Sequence, residues 1–270
     1  MFFQFYKPGF ALCEFVQHIM VGHVCSDSTV SQTAKAFPPA PEQCLYFYPR
    51  DKVFQNNIYS AGAYQPFSII VGPQLSKVDL LTGMNHLMIG VVFRPGRLHR
   101  IIGSHMTELL DHYVDSSLVW PTEIRMLEER MNETNDYNVM VQMVERFLLK
   151  CIGTRVTRAH IIDEVFDYMI KPVKPYTIDR LASRACLSPR QFERKFNERM
   201  GLSPKVFQKI IRFNSAVRMK EALPAKDWLS IALHAGYYDF QHMLRDFREF
   251  TNTTPSILGS QDLEMYAYEK

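Results

Sequence analysis

The chain has 270 residues, of which 47% are apolar and 22% charged, a balance that fits a globular protein and excludes an intrinsically disordered one. Its length allows two domains, each with a core of its own. The net charge of +3 is unevenly spread, because residues 171–260 hold 16 Lys and Arg against 8 Asp and Glu, whereas the rest holds 15 against 20. Basic charge is thus concentrated in one third of the chain, as phosphate binding would require.

The cysteines and the first residues indicate a compartment. Five cysteines occur without Cys-x-x-Cys spacing, which predicts neither a disulfide framework nor a zinc site and fits a reducing environment: Cys13, Cys25, Cys44, Cys151 and Cys186. The opening MFFQFYKPGF is too short and polar for a signal peptide, and no apolar run approaches a membrane-spanning length. We expect a cytoplasmic protein without a membrane partner.

Residues 1 to about 103 are predicted to be mainly β. Short β-branched or aromatic runs at 45–48, 67–71 and 87–93 are typical of strands, and Pro-rich or Gly-Pro turns, including 38–41, separate them. The segment 11–21 fits a helix or a strand equally well. Evenly spaced short strands predict an antiparallel sheet, sandwich or barrel, which either holds a small ligand or is simply packed.

From Ser104 the hydrophobic period becomes helical. Met106, Leu109, Leu110 and Tyr113 predict a helix near 104–113, and further helices are predicted near 122–131, 139–151 and 159–170. The wide apolar stripe of 139–151 indicates core packing, with a dimer interface as the alternative. The following KPVKP at 171–175 is typical of a linker.

The segment 179–199, DRLASRACLSPRQFERKFNER, has the pattern of two short helices joined by a tight turn. Ser188-Pro189 supplies a capping hydroxyl and a proline at the first helical position. Phe192 and Phe196 share one helix face, while Arg, Gln and Asn side chains fall largely on the other. This pattern fits a helix-turn-helix motif, whose second helix enters the DNA major groove; any two-helix corner with a solvated face is the alternative.

The pattern returns about fifty residues later, at 229–249, with a cap predicted at Asp239 and the pair Met243 and Phe247 in place of the two phenylalanines. A helix predicted over 204–223 joins the two copies. At 1.5 Å per residue it spans roughly 30 Å, close to the ~34 Å turn of B-DNA that separates successive major grooves on one face. Two imperfect copies of the motif joined by one helix favour DNA binding over a two-helix corner that occurs by chance.

Residues from about 171 to 258 resemble the DNA-binding domain of the AraC/XylS family of bacterial transcription regulators. The segments that carry the resemblance are LASRACLSPRQFERKFNERMGLSPKVF, IIRFNSAVRMKEAL and SIALHAGYYDFQHMLRDFREFTNTTPSIL. The resemblance implies a seven-helix domain with two recognition helices. It also implies an N-terminal sensor or dimerisation domain, often a cupin-like β-barrel followed by helices.

We therefore predict an α+β chain in two domains. Residues 1–160 form an N-terminal sensor or dimerisation domain, an antiparallel cupin-like barrel or sandwich that is β-rich to about 103 and helical at 104–157. Residues 161–260 form an all-α DNA-binding domain with helix-turn-helix motifs at about 178–199 and 229–249, joined by a long helix.

The second motif departs from the family pattern. Phe240, Gln241 and Met243 stand where other residue types are usual, and Asn252 replaces an expected glycine. Asp246 is expected to make the outward face of the second helix less basic. We therefore expect the first motif to read sequence and the second to hold the backbone more.

The predicted DNA contacts combine residues that suit base edges or phosphates. Arg and Lys suit guanine O6 and N7, Gln suits adenine, and Phe240 suits a thymine methyl group or core packing. The set is Arg190, Gln191, Arg194 and Lys195 for the first groove, and Phe240, Gln241, His242 and Arg245 for the second. Arg212, in the linking helix, is equally an ion-pair partner or a DNA contact.

These observations predict a sequence-specific transcription regulator that is not an enzyme and needs no cofactor. Its predicted partners are double-stranded DNA, RNA polymerase if it activates, a small-molecule effector and a second copy in a homodimer. One alternative is a metal-dependent β-barrel enzyme fused to a DNA-binding module, with the histidines and cysteine His18, His23, Cys25, His99 and His105 as conceivable ligands despite their lack of paired ligand spacing. Another is a ligand-independent DNA binder whose N-terminal domain only dimerises.

Overall fold

The computed structural model describes residues 1–25, 35–37, 41–57, 60–76, 78–170 and 176–255. An antiparallel β region comes first and helices follow. The strands are β1 (Phe2–Tyr6), β2 (Val16–Cys25), β3 (Lys35–Phe37), β4 (Gln43–Phe47), β5 (Phe54–Asn57), β6 (Ser60–Tyr64), β7 (Ser68–Val71), β8 (Val78–Leu81), β9 (Asn85–Phe93) and β10 (Tyr113–Asp115).

The strands form two antiparallel sheets. The first has the order β1-β2-β9-β4-β7-β10, and the second has the order β3-β8-β5-β6. In the first sheet, the central strand β9 pairs with β2 through nine residue pairs and with β4 on the other side, where Leu45 faces Val91. This arrangement confirms the predicted antiparallel N-terminal fold, and the three predicted strand runs correspond to β4, β7 and β9.

The helices include three short 3-10 turns at Phe10–Leu12, Met106–Leu109 and Ser116–Leu118. The α-helices are α1 (Arg97–Ile102), α2 (Pro121–Asn132), α3 (Tyr137–Arg155), α4 (Ile162–Met169), α5 (Ile178–Arg184), α6 (Pro189–Met200), α7 (Pro204–Ala222), α8 (Trp228–His234) and α9 (Phe240–Thr251).

Alternation along β4 gives the first sheet two different faces. Leu45 and Phe47 point into the N-terminal core, where the Phe47 ring meets Phe147 of α3 edge-on at 6.3 Å. Tyr46 and Tyr48 point the other way, toward a cavity that residues of the second sheet also line. One face of the sheet therefore packs against helices, and the other face lines the cavity.

The apolar side chains divide into two large cores. The first runs from Leu12 to Cys151 and joins the sheet to α2 and α3; the second runs from Ile162 to Phe250 and contains α4 to α9. The stripe of α3 lies in the first core, so the core-packing interpretation of 139–151 is confirmed. We infer from this division a domain junction close to residue 160.

The predicted helix near 104–113 is wrong. Helix α1 comes earlier, where β was expected, and Gly96 and Gly103, both with φ of +74°, bound it. Leu98 and Ile101, three residues apart, are fully buried. After Gly103 the chain makes the 3-10 turn at Met106–Leu109 and then adds β10 to the edge of the sheet beside β7. Four apolar residues with helical spacing were too few to distinguish a 3-10 turn followed by a strand from a single helix.

Three further predictions concern segment 11–21, the loops and linkers, and the number of C-terminal helices. Segment 11–21 divides into the end of a 3-10 turn and the start of β2. The linker 171–175 lies outside the described residues, as do residues 38–40 of the turn predicted at 38–41. Between 162 and 251 the described chain has six helices, one fewer than the seven implied by the family resemblance, and residues 256–270 are outside the described part.

Gly201 ends α6 in the left-handed conformation, with φ of +77°, and its N–H donates to the carbonyl oxygen of Asn197. A Cβ at this position would lie 2.5 Å from the backbone oxygen of Met106 in the N-terminal domain. Glycine is therefore favoured at the helix end and needed for the close approach of the two cores.

Replacing Gly201 by Ala should lower the urea unfolding midpoint, at a cost of about 2–4 kcal/mol, because backbone strain and steric overlap add. Gly103→Ala is the matched control, since Gly103 has φ of +74° but no atom within 4 Å of the added Cβ. The control should cost only about 1 kcal/mol. Equal shifts in the two variants would show that the close approach to Met106 contributes nothing.

Candidate nucleic-acid interface

The first helix-turn-helix motif consists of α5 and α6. Leu181 and Ala182 of α5 are 1% exposed, and the N–H of Leu187 donates to the Ala182 carbonyl oxygen at 2.9 Å. Cys186, with φ of +53°, reverses the chain between the helices. Phe192 and Phe196 are fully buried, which confirms the inward face predicted for α6.

Ser188 and Gln191 form a capping box at the start of α6. The Ser188 hydroxyl accepts from the Gln191 N–H at 3.3 Å, and Gln191 Oε1 accepts from the Ser188 N–H at 3.1 Å. Reading adenine in a bidentate pair requires both the oxygen and the NH₂ group of a glutamine side chain. Because the capping box already uses the Gln191 oxygen, this side chain would have to leave the box to form such a pair.

The exposed side chains at the start and middle of α6 include two arginines and one carboxylate, Glu193. Arg190, Gln191 and Arg194 are exposed, and Lys195 is half-buried. Three of the four residues predicted for the first groove thus share the solvent side of the helix that Phe192 and Phe196 anchor. We call α6 the first reader.

The second motif consists of α8 and α9 and repeats the same construction. Asp227 caps α8 by accepting from the Ser230 N–H at 2.8 Å, and the hydrogen bonds from Ser230 lower the pKa of the Asp227 carboxyl group. Asp239 caps α9 by accepting from the His242 N–H at 2.6 Å, which confirms the predicted cap. Met243 and Phe247 are fully buried. We call α9 the second reader.

The four residues predicted for the second groove lie in two different environments. Gln241 and Arg245 are exposed. Phe240 is half-buried and packs against the C-terminal core. His242 is half-buried, with Nε2 3.5 Å from an Arg212 nitrogen and its ring edge-on to Tyr237 at 5.4 Å. The structure therefore places Gln241 and Arg245 together on the solvent side and draws Phe240 and His242 toward the protein.

The expectation that Asp246 faces outward is wrong. Asp246 is 2% exposed, and its carboxylate lies 3.4 Å from Lys209 Nζ and 3.6 Å from Arg212 Nη2, both on α7. Burial, with the charge of Asp246 as a further cause, raises the pKa of the Tyr237 hydroxyl. Arg212 also lies over the Tyr237 ring at 5.0 Å. The Asp246 charge is therefore neutralised inside the domain and does not make the outward face of the second reader less basic.

Helix α7 joins the two motifs, as predicted. Its 19 residues correspond to about 28 Å at 1.5 Å per residue. Ser203 caps its start and Asn252, with φ of +56°, ends α9 in the left-handed conformation that Gly201 adopts after α6. The asparagine thus performs the role of the glycine it replaces, as its tolerance of positive φ allows.

A second face of α7 lines the cavity of the N-terminal domain. Asn214, Val217 and Arg218 contribute to the wall of a cavity of about 290 Å³, together with residues of both sheets. The polar side chains of the sheet side include His18, Tyr46, Tyr48, Gln55, Gln65, His86 and Tyr113, and Glu42 adds a carboxyl group. Sequence reasoning missed this α7 face, although the i, i+3, i+4 spacing of Asn214, Val217 and Arg218 would have marked it.

The conceivable metal ligands do not meet at one place, although His23 and Cys25 are in contact and the rings of His99 and His105 are 6.5 Å apart. His23 Nε2 contacts Asn85 Oδ1 at 2.6 Å and Cys25 Sγ at 3.3 Å, whereas His18 packs edge-on against Phe5 and His99 Nδ1 lies 2.9 Å from the Ser104 carbonyl oxygen. Among the described residues, no group of three or more His, Cys, Asp or Glu side chains is placed to hold a metal ion. In the same part of the chain, no helix has the length and apolar character needed to cross a membrane.

Known families match two separate parts of the chain. Residues 181–259 match the family described as Helix-turn-helix domain, and residues 4–115 match a Domain of unknown function (DUF6597). The HTH-type transcriptional regulator MtrA of Neisseria gonorrhoeae is 29% identical over 96 residues, which are 36% of this chain and 31% of MtrA. The matched stretch is thus less than a third of that relative's length.

Two solved structures share the whole arrangement. An apo lysine-to-alanine variant of ToxT from Vibrio cholerae strain SCE256 has a TM-score of 0.51 and 10% identity, covering 92% of this chain and 97% of ToxT. ToxT from Vibrio cholerae O395 bound to (E)-4-(8-methylnaphthalen-1-yl)but-3-enoic acid has a TM-score of 0.50 and 10% identity, covering 98% and 99%. At this identity the likeness concerns the fold, and it confirms β sheets followed by a helical helix-turn-helix region.

The two capped motifs, their exposed arginines and the family match define the class of the C-terminal region: residues 181–259 form a helix-turn-helix domain. Within that class, this region resembles the AraC/XylS DNA-binding domain, and it is similar to part of the transcriptional regulator MtrA.

Glu221 follows the cavity-lining residues by one turn of α7. Burial raises the pKa of its carboxyl group from 4.5 to about 7, although the nearby charge of Arg218 acts in the opposite direction. The folded protein therefore holds a proton that the unfolded chain releases between about pH 4.5 and 7, so this group makes folding less favourable as the pH rises through that window.

Replacing Glu221 by Gln should remove this pH-dependent loss of folding stability. Between pH 5 and pH 8 the free energy of unfolding of the variant should rise relative to that of the wild type, by about 1 kcal/mol after allowance for solvent screening, as measured by urea titration. Glu129→Gln, which neutralises an exposed carboxylate on α2, is the control and should leave the pH profile unchanged. A parallel profile for Glu221→Gln and wild type would contradict the raised pKa.

Proposed function

We propose that the protein binds two successive major grooves of a specific duplex, with one reader in each, and that a small molecule in the N-terminal cavity controls this binding. The observation that carries the proposal is the pair of capped readers, each with exposed Arg and Gln side chains on the face opposite its buried aromatic or Met residues. In this proposal Arg190 and Arg194 contact the first groove, and Gln241 and Arg245 contact the second.

The dimensions of the domain support two grooves rather than one. The readers are joined by α7, about 28 Å long, which is close to the ~34 Å separation of successive grooves. The Asp246 contacts to Lys209 and Arg212 fix the second reader to α7. Because Asp246 is internal, we propose that both readers contact bases.

Lys195, Gln191, Phe240 and His242 take supporting roles in this proposal. Half-buried Lys195 suits a phosphate contact, which tolerates varied geometry. Gln191 holds the capping box, while Phe240 and His242 pack the start of the second reader. Positioning residues of this kind affect binding through the helix that they orient.

The cavity supports control by a small molecule. It lies between the first sheet and the second sheet, and α7 contributes part of its wall. A largely apolar interior with a few hydroxyl, imidazole, amide, carboxyl and guanidinium groups suits an amphipathic organic molecule. A ligand there would contact the helix that sets the distance between the readers, which gives binding a direct route to the DNA interface.

The remaining partners follow from this function. We propose that the protein acts on DNA in the bacterial cytoplasm, that it contacts RNA polymerase where it activates, and that the N-terminal domain forms a homodimer. No catalytic role is proposed, since the conceivable ligands His18, His23 and His99 lie in separate environments. A ligand-independent binder is the alternative that the experiment on the cavity addresses.

Arg194→Ala should weaken binding to the specific duplex by about 1–3 kcal/mol and relax sequence preference at one half-site, because a bidentate contact to a base is lost. The affinity for a duplex selected by the full chain from a random library, compared with that for unselected DNA, measures the effect. Arg130→Ala, which removes an exposed arginine from α2, is the control. Equal losses on both DNAs would make Arg194 a phosphate contact.

The first ligand to test is the acid bound in the ToxT structure, (E)-4-(8-methylnaphthalen-1-yl)but-3-enoic acid. If it occupies the cavity, it should raise the melting temperature of the full chain, with a stabilisation of about 2.7 kcal/mol at 100 times its dissociation constant. Val71→Trp, which places a large ring in the cavity wall, should abolish the shift. A shift that persists in Val71→Trp would place the ligand elsewhere.

A further inference from the structure

The C-terminal end of the first reader is fixed to the N-terminal domain by a buried charge cluster. Asp163 of α4 is 3% exposed, and its Oδ1 accepts from Arg199 Nη1 of α6 at 3.0 Å. The same carboxylate lies 3.8 Å from Arg97 Nη1 and 3.8 Å from Arg100 Nη1, both on α1. We call these four residues the Asp163 cluster. It joins α6 to a helix of the other core.

Charge balance makes Asp163 the central member. Arg97, Arg100 and Arg199 are each at least 93% buried, and Asp163 is the one similarly buried carboxylate among the residues that pair with them in the described chain. Asp167 and Glu14 also pair with α1, but their side chains are 31% and 55% exposed. Without the Asp163 charge, three guanidinium groups would repel one another in a poorly solvated space.

Uncharged contacts hold the same junction. Gln43 of β4 donates from Nε2 to the Arg199 carbonyl oxygen at 2.9 Å, where the side chain is 1% exposed. Gly201 approaches the Met106 oxygen, and Gly96 lies against the ring of Phe166 so closely that a Cβ would be 2.4 Å from it. The first reader thus ends inside a tight interface, while Arg190 and Arg194 near its start remain exposed.

The second reader is held differently. Its buried Asp246 pairs with Lys209 and Arg212 of α7, and its exposed Glu249 also contacts Lys209. These ion pairs stay within the C-terminal domain. The two readers are therefore attached to different parts of the molecule by buried charged contacts, the first to Asp163 of α4 and through it to α1, and the second to α7.

We propose that Asp163 is a positioning residue for DNA recognition, which makes the first reader move with the N-terminal domain and thereby makes recognition of the first half-site depend on that domain. This inference rests on the proposed function, because it assumes that α6 and α9 each contact a half-site. It adds that the N-terminal domain acts on the first reader through the Asp163 cluster, at the end of α6 remote from the exposed arginines.

Asp163→Asn in the full chain tests the proposal. Asparagine keeps the size of the side chain and an acceptor oxygen but removes the charge. The matched control is Asp167→Asn, which lies one turn further along α4 and pairs with Arg97 at 2.8 Å. The probe is a duplex that the wild-type chain selects from a randomised library, and hydroxyl-radical footprinting reports each half-site separately. The half-site that loses protection in Arg194→Ala is assigned to the first reader.

We expect Asp163→Asn to bind the selected duplex about tenfold more weakly, within the range of typical coupling between sites, and to lose protection at the first half-site alone. Asp167→Asn should protect both half-sites as the wild type does. Gln43→Leu breaks the same junction from the N-terminal side without altering the DNA-binding domain, and it should produce the same selective loss. If Asp163→Asn fails to fold, Gln43→Leu still tests whether this junction is needed for protection of the first half-site.

Three results would overturn the inference. Unchanged protection at both half-sites in Asp163→Asn or Gln43→Leu would show that the first reader does not need the cluster. An equal loss at both half-sites, with a lowered urea midpoint, would reduce Asp163 to a general stabilising residue. If the wild-type chain enriches no duplex from the library, the proposed function itself fails, and the positioning role fails with it.

Discussion

One buried carboxylate sits where the two cores of this protein meet. Asp163 faces three buried guanidinium groups, and charges removed from water are stable only when they are paired and hydrogen-bonded. This requirement ties together α1, α4 and α6, which are separated by long stretches of sequence. The orientation of the first reader against the β sheets depends on this arrangement, as does the close approach of Gly201 to Met106.

The same geometry relates the cavity to the DNA-binding surface. One side of the cavity is formed by the sheets, and the other includes a face of α7, the helix that carries the second motif through Lys209 and Arg212. The first reader is joined to the sheets and the second to α7. A molecule between sheets and α7 therefore lies between the attachments of the two readers, which is a favourable place from which to change their separation.

Local chemistry was predictable from the sequence to a large extent. The capping residues Ser188 and Asp239, the inward pairs Phe192/Phe196 and Met243/Phe247, and the bridging helix all depend on neighbours within one or two turns. Strand runs with β-branched residues were equally clear. The predictions failed where one short pattern fits more than one secondary structure. In 104–113, the left-handed conformation of Gly103 and the pairing of β10 with β7 outweighed an apparent helical period.

Periodicity, capping residues and composition were enough to predict the two motifs, their spacing and the concentration of basic charge in the C-terminal third. The directions of charged side chains such as Asp246 and Asp163 depend on long-range packing. Their partners lie 34 to 66 residues away in the pairs with Arg212 and Arg97, and a polar residue in an amphipathic helix carries no local sign of whether it faces water or an opposite charge. The cavity wall on α7 was likewise decided by packing between the two domains.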